Sequence, residues 1–174
     1  MNLSNIGPGQ AIPNNFNVII EISAHSDPIK YELDKVGDII AVDRFLGTAM
    51  SYPANYGFVP QTLSEDGDPV DVLVVSPFSL PPGVLIRCRA LGMLKMEDES
   101  GVDAKIIAVP IEKVCPMYRT IQSLEDLPEL LRNQIKHFFE HYKDLEKGKW
   151  VKIRGWTDLA SAHQELIDGI ARFQ

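Results

Sequence analysis

The stretch Val70-Asp-Val-Leu-Val-Val75, with Val84-Leu-Ile-Arg-Cys-Arg-Ala-Leu-Gly-Met-Leu94 and Ala104-Lys-Ile-Ile-Ala-Val109 after it, decides the fold class. Its runs are β-branched or alternating, and turn formers such as Pro81-Pro-Gly83 separate them, which reads as strands. Upstream, Phe16–Ile22, Ile29–Asp34 and Ile39–Arg44 have the same character, divided by His25-Ser-Asp-Pro28 and Lys35-Val-Gly37. Short strands at near-regular spacing predict a small closed barrel or a sandwich. After Cys115 the period changes. Leu127, Leu130, Leu131, Ile135, Phe138, Phe139 and Tyr142 recur at helical spacing, with Pro128 in the first turn and Gly148 beyond the end. A second helical pattern runs through Leu159, Ala162, Leu166, Ile167 and Ile170, with Thr157 or Asp158 as its cap. The expected class is α+β, strands first and helices last, in one domain over residues 1–174.

A chain of 174 residues buries enough surface to fold without disulfides or a structural metal. Cys88 and Cys115 lie in no CxxC or Cys/His cluster, and Cys88, inside an apolar run, reads as a buried inert thiol. Lys plus Arg is 17 against 24 Asp plus Glu, a formal charge of −7. That balance disfavours nucleic acid, whose binding by counterion release needs a basic surface. It does not exclude anionic small molecules, which an acidic protein can hold through metal ions and a few local cations. No apolar run approaches the ~18 residues of a membrane span. The stretch Met1–Gln10 has neither a basic n-region nor an apolar h-region, so cytoplasmic residence is the expectation.

The densest chemical signal is Glu65-Asp-Gly-Asp-Pro-Val-Asp71, clustered carboxylates on a turn that leads directly into a strand. Asp-Gly and Asp-Pro are common in solvated turns, which is the competing reading. Three Asp side chains on one turn nevertheless repel each other unless protonated or neutralised, and a hard divalent ion is the natural partner. The spacing is not that of an EF-hand: Val70 and Asp71 fall where that loop needs a ligand and a glycine. Glu97, Asp98, Glu99 and Asp103 form a second acidic group at the next hairpin end, followed by Lys105. Two acidic loops at one barrel end could hold more than one magnesium ion, activating a water and clamping a phosphoryl oxygen.

Candidate anion donors are Lys30 and Arg44 on strands, Tyr52 and Tyr56 in an irregular loop before the acidic turn, and Tyr142 with Lys143 at a helix end. Taken singly, each is ordinarily a solvated cation or a core tyrosine. Lys30 and Glu32 alternate on one strand face with Glu21 on a neighbouring strand, which suggests a polar pocket. His137 and His141 share a helix face, but His137-Phe-Phe-Glu-His141 lacks the glutamate that follows the first histidine of a zinc-protease motif. An interface-forming face is the simpler reading, and acid should weaken it.

Tyr52-Pro-Ala-Asn-Tyr-Gly-Phe58, Thr62-Leu63 and Asp66-Gly-Asp-Pro-Val-Asp-Val72 together resemble the signature region of the soluble family I inorganic pyrophosphatases of bacterial type. Asp27-Pro-Ile-Lys-Tyr-Glu32, Val42-Asp-Arg-Phe45, Ile86-Arg-Cys-Arg89, Asp103-Ala-Lys105 and His137 to Trp150 extend the likeness over nearly the whole chain. The resemblance implies a five-stranded, OB-like barrel flanked by helices and Mg2+-dependent hydrolysis of pyrophosphate to two phosphates, with several ions per site. It implies Asp66, Asp71 and Asp103 as ligands of the water-activating metals, Asp98 with Glu32 as holders of substrate-associated magnesium, and Asp68 as general base. Lys30, Arg44, Tyr56, Tyr142 and Lys143 would grip phosphate, supported by Glu21, Tyr52 and Lys105. It further implies a homohexamer. Two rivals remain at this point: an OB-like module binding single-stranded nucleic acid, and a divalent-ion buffer without turnover.

Overall fold

Four of the expected strands, joined by one that was not expected, close into a ring. A computed structural model describes residues 3–174; Met1 and Asn2, at the head of the stretch read for a targeting signal, lie outside the described residues. The elements are β1 (Phe16–Ile22), β2 (Ile29–Asp34), β3 (Ile39–Phe45), β4 (Asn55–Val59), β5 (Val70–Val74), β6 (Leu85–Asp98), β7 (Gly101–Pro110), α1 (Glu129–His141), β8 (Val151–Thr157) and α2 (Leu159–Phe173). Pairing runs β1-β4-β5-β7-β6 and returns from β6 to β1, an OB-like ring of five strands. The ring is uneven because β6 has 14 residues whereas β4 and β5 have 5 each. That length lets β6 pair with β1 at Leu85–Cys88 and with β8 at Met93–Asp98. β5 and β7 run parallel, which sets Asp71 opposite Lys105.

Four strands depart from expectation. Asn55–Val59, expected as irregular loop, is a wholly buried ring strand. Its Gly57 permits the contact: a Cβ there would lie 2.0 Å from the Ile19 carbonyl oxygen of β1. β8, whose Lys152 and Arg154 point outward between half-buried neighbours, was not anticipated. β2 and β3 pair with each other rather than joining the ring. Asp98 and Asp103 belong to the long β6–β7 hairpin itself, Asp103 facing Met96 and Asp98 facing Gly101.

Two cores hold the helices. Ile135, Phe138, Phe139 and Tyr142 of α1 and its C-cap pack with Tyr52, Tyr56, Leu73 and Ile107. Ala162 and Leu166 of α2 pack with Val70, Val72, Met93 and Ile106. Leu130 and Ile167, expected on the apolar stripes, face solvent, and Cys88 is buried as expected. Pro128 is the N-cap of α1 rather than a residue of its first turn, and Asp158 caps α2 by accepting the Ser161 amide at 2.9 Å. Among the described residues no helix is long and apolar enough to cross a membrane.

Candidate active site

The ring places residues from distant sequence segments at one end. The turn before β5 carries Asp66 and Asp68, β5 and β7 deliver Asp71, Asp103 and Lys105, and β4 delivers Tyr56. The β2–β3 hairpin brings Lys30, Glu32, Asp43 and Arg44, while Tyr142 and Lys143 follow the last turn of α1. Every residue to which the resemblance gave a site role lines one cleft of about 800 Å³, including Glu21, Tyr52, Asp98, Asp103 and Lys105, whereas Glu65, Glu97, His137 and His141 do not line it.

Acids and bases are interleaved there. The buried Lys105 ammonium lies 2.6 Å from Asp71 and 2.9 Å from Asp103, and donates to the Tyr56 hydroxyl at 3.2 Å. Burial alone would lower its pKa, but Asp103 and Asp71 outweigh burial and hold it well above the ordinary lysine value. Lys143 lies 2.8 Å from Asp98 and 3.2 Å from Glu99. Asp98 stays below the usual carboxylate range because, against the effect of burial, it accepts from Lys143 and from the Ser100 amide. Across the cleft Lys30 contacts Glu32 at 3.0 Å and Asp43 at 3.3 Å, and Arg44 contacts Asp43 at 2.8 Å and Glu146 at 2.7 Å.

The turn acids differ from these paired groups. Asp66 is raised, chiefly by burial and then by the charges of Asp103 and Asp68, while accepting the Asp68 amide at 3.0 Å. Asp103 is raised as well, by burial first, although Lys105 opposes the shift. Among the described residues no three His, Cys, Asp or Glu side chains close on one centre as a finished metal cage. Asp71 and Asp103 instead face the Lys105 ammonium. The donors are nevertheless all hard carboxylate oxygens under mutual repulsion, the chemistry that suits a divalent cation such as magnesium.

The aromatic wall fixes the tyrosines. Tyr52 packs on Phe138 with ring centroids 4.5 Å apart, and Tyr142 stacks on Phe138 at 5.2 Å. Burial holds the pKa of Tyr52 and Tyr56 well above the ordinary tyrosine value, so both remain hydroxyl donors. Glu21 accepts the Leu33 amide at 2.9 Å, tying β1 to β2.

Burial, and then the charge of Asp71, push Glu21 from 4.5 to about 8. A carboxyl with a raised folded pKa makes the protein lose stability as pH rises from the unfolded value to the folded one. Glu21→Gln keeps an acceptor for Leu33 and cannot ionise, so its stability relative to wild type should increase between about pH 4.5 and pH 8, by several kcal/mol at about 1.4 kcal/mol per pKa unit. Urea unfolding across that range checks this; parallel curves for the two proteins would remove the assignment.

Sequence reasoning missed Asp43, Glu146 and Lys149. Asp43 stood in the Val42-Asp-Arg stretch beside Arg44 and could have been found there. Glu146 could not, because its contact with Arg44 spans 102 residues.

Comparison with known proteins places the chain within one family. A family model described as inorganic pyrophosphatase matches residues 18–174. The inorganic pyrophosphatase of Ralstonia nicotianae is 59% identical over 174 residues, covering 100% of this chain and 99% of that protein. That of Escherichia coli is 55% identical over 172 residues, covering 99% of this chain and 98% of its own. The solved inorganic pyrophosphatase of Coxiella burnetii superposes with a TM-score of 0.94 at 54% identity, covering 97% of this chain and 100% of that one. The nucleic-acid-module alternative finds no support in these matches.

Proposed function

The chain belongs to the inorganic pyrophosphatase family and is an enzyme that hydrolyses pyrophosphate, and from that premise we propose magnesium-dependent cleavage to two phosphates in the cleft described above. The observation that carries this reading is the interleaving of carboxylates with Lys30, Arg44, Lys105 and Lys143 in one cleft. Phosphoryl transfer needs positioning and charge neutralisation rather than a covalent nucleophile, and this cleft offers both.

Lys30, Arg44 and Lys143, with the hydroxyls of Tyr56 and Tyr142, bind phosphoryl oxygens and orient the anhydride. Asp66, Asp71, Asp98 and Asp103 would hold the magnesium ions. When bound, those ions neutralise phosphate charge and make a water more acidic. Asp68, on the exposed crest of the turn, takes the water's proton as general base. Lys105 keeps Asp71 and Asp103 in register, Glu32 holds Lys30, Glu21 fixes β2 through Leu33, and Tyr52 backs Tyr56.

Phosphate release from pyrophosphate should require added magnesium and fall to the buffer rate after chelation, returning when magnesium is restored. Undiminished release in excess chelator would overturn the metal role. The same chain working as one domain in the cytoplasm, and assembling as a homohexamer, completes the reading. Its contact surface is the exposed His137–His141 face of α1, where the rings lie 4.7 Å apart. Light scattering should give a mass several times 19.4 kDa at neutral pH, and a monomer would count against assembly.

A further inference from the structure

The acidic turn is not held only from within the cleft. Its entrance and exit are also tied to the C-terminal half of α2, which contributes no residue to the cleft lining. Leu63, just before the turn, donates its amide to the Gly169 carbonyl at 2.9 Å and receives Arg172 Nη1 on its own carbonyl at 3.2 Å. The same Nη1 donates to Glu165 Oε1 at 3.1 Å, and that oxygen accepts the Ser64 hydroxyl at 3.4 Å. Nη2 of Arg172 lies 3.9 Å from Glu65. At the exit, Gly169 lets the helix close on Val70: a Cβ there would fall 2.6 Å from Val70 Cγ2.

Ser64 passes this anchorage into the turn. Its amide donates to the Asp68 carbonyl at 2.7 Å, and its carbonyl accepts the Gly67 amide at 3.1 Å. The Asp68 amide in turn donates to the Asp66 carboxylate at 3.0 Å. A shift of Ser64 therefore moves the main chain bearing both acids. Thr62 locks the ends together, accepting the Val70 amide at 3.0 Å while donating to the Val59 carbonyl at 2.6 Å.

We propose that Arg172 is a positioning residue of the active site: through Leu63, Glu165 and Ser64 it sets the spacing of Asp66 and Asp68 for magnesium and water. The inference rests on the magnesium-dependent reading given above. Arg172 touches no reacting atom, is one-third exposed and belongs to neither buried core, so its removal opens no cavity in either. A bridge between a carbonyl and a carboxylate suits a planar guanidinium with several donors, whereas an ammonium on a flexible stem holds such a fork poorly.

The test compares wild type, Arg172→Ala, Arg172→Lys and the milder Glu165→Gln. Readouts are magnesium affinity by calorimetry, melting temperature with and without magnesium, and kcat and KM for pyrophosphate. Loss of a group bonded directly to a metal ligand weakens affinity by about 10- to 100-fold, and Arg172 acts through such groups rather than on a ligand, so the lower end of that range is expected. Arg172→Ala should therefore show about tenfold weaker magnesium binding, a smaller magnesium-induced rise in melting temperature and a lower kcat, with KM at saturating magnesium little changed. Arg172→Lys should fall between it and wild type. Should Arg172→Ala not fold, Arg172→Lys and Glu165→Gln carry the same readouts, each with weakened magnesium binding. A melting temperature lowered equally with and without magnesium, at unchanged magnesium affinity, assigns Arg172 a purely structural role and overturns the proposal. If wild type itself hydrolyses pyrophosphate without binding magnesium, the functional reading falls and this inference with it. Normal magnesium binding by wild type and equally by the variants overturns this inference alone.

Discussion

Asp68→Asn should leave the folded protein intact and reduce turnover by about a hundredfold or more. The side chain is 74% exposed, and its one ion-pair partner among the described residues is Lys35 at 3.9 Å, so the change removes little packing or pairing energy. The backbone of the turn is held by other groups: the Asp68 amide bonds to Asp66, and the Asp68 carbonyl accepts from Ser64. An amide of the same shape keeps these bonds but cannot accept a proton, and positioned general bases contribute about 10²- to 10⁴-fold. Circular dichroism and melting temperature should match wild type while kcat drops. Turnover near the wild-type rate at saturating magnesium would take the proton-acceptor role away from Asp68.

Gly57→Ala should destabilise the protein by more than about 3 kcal/mol, beyond the usual cost of overpacking a core. The added Cβ would meet the Ile19 carbonyl oxygen at 2.0 Å, its carbon at 2.8 Å and the Ile20 Cα at 3.0 Å. All three are backbone atoms of β1, so no rotamer change relieves the clash. Relief requires parting β1 from β4, the pairing Ile20↔Gly57 on one side of the ring. Tyr56 neighbours the substitution, so activity should fall together with stability, unlike Asp68→Asn. Urea or thermal unfolding measures the effect; a midpoint within error of wild type would show that β1 and β4 can separate at little cost.

The acidic turn was legible because its members are contiguous: Asp66, Asp68 and Asp71 announce themselves through proximity in sequence alone. Strands such as Phe16–Ile22 and Val70–Val74 were legible because β-branched runs between turn formers carry a local signal. β4 hid for the opposite reason. Asn, Tyr and Gly at positions 55–57 look like turn chemistry, and only the neighbouring β1 backbone explains why a glycine belongs in a strand there. β8 hid behind Lys152 and Arg154, whose outward alternation resembles solvated loop until β6 is extended to receive it. At the cleft, the resemblance supplied residue types that periodicity could not, whereas the partner of Arg44 and the support behind the turn depend on contacts more than a hundred residues apart.

Lys105 has a consequence for the enzyme between turnovers. When a site relies on exchangeable cations to quiet its own acids, their departure with product would leave like charges confronting one another. An ammonium rooted in β7 and shared by Asp71 and Asp103 acts as a tethered counter-ion that never diffuses away. The emptied enzyme therefore keeps its architecture and awaits the next load without first having to rebuild itself.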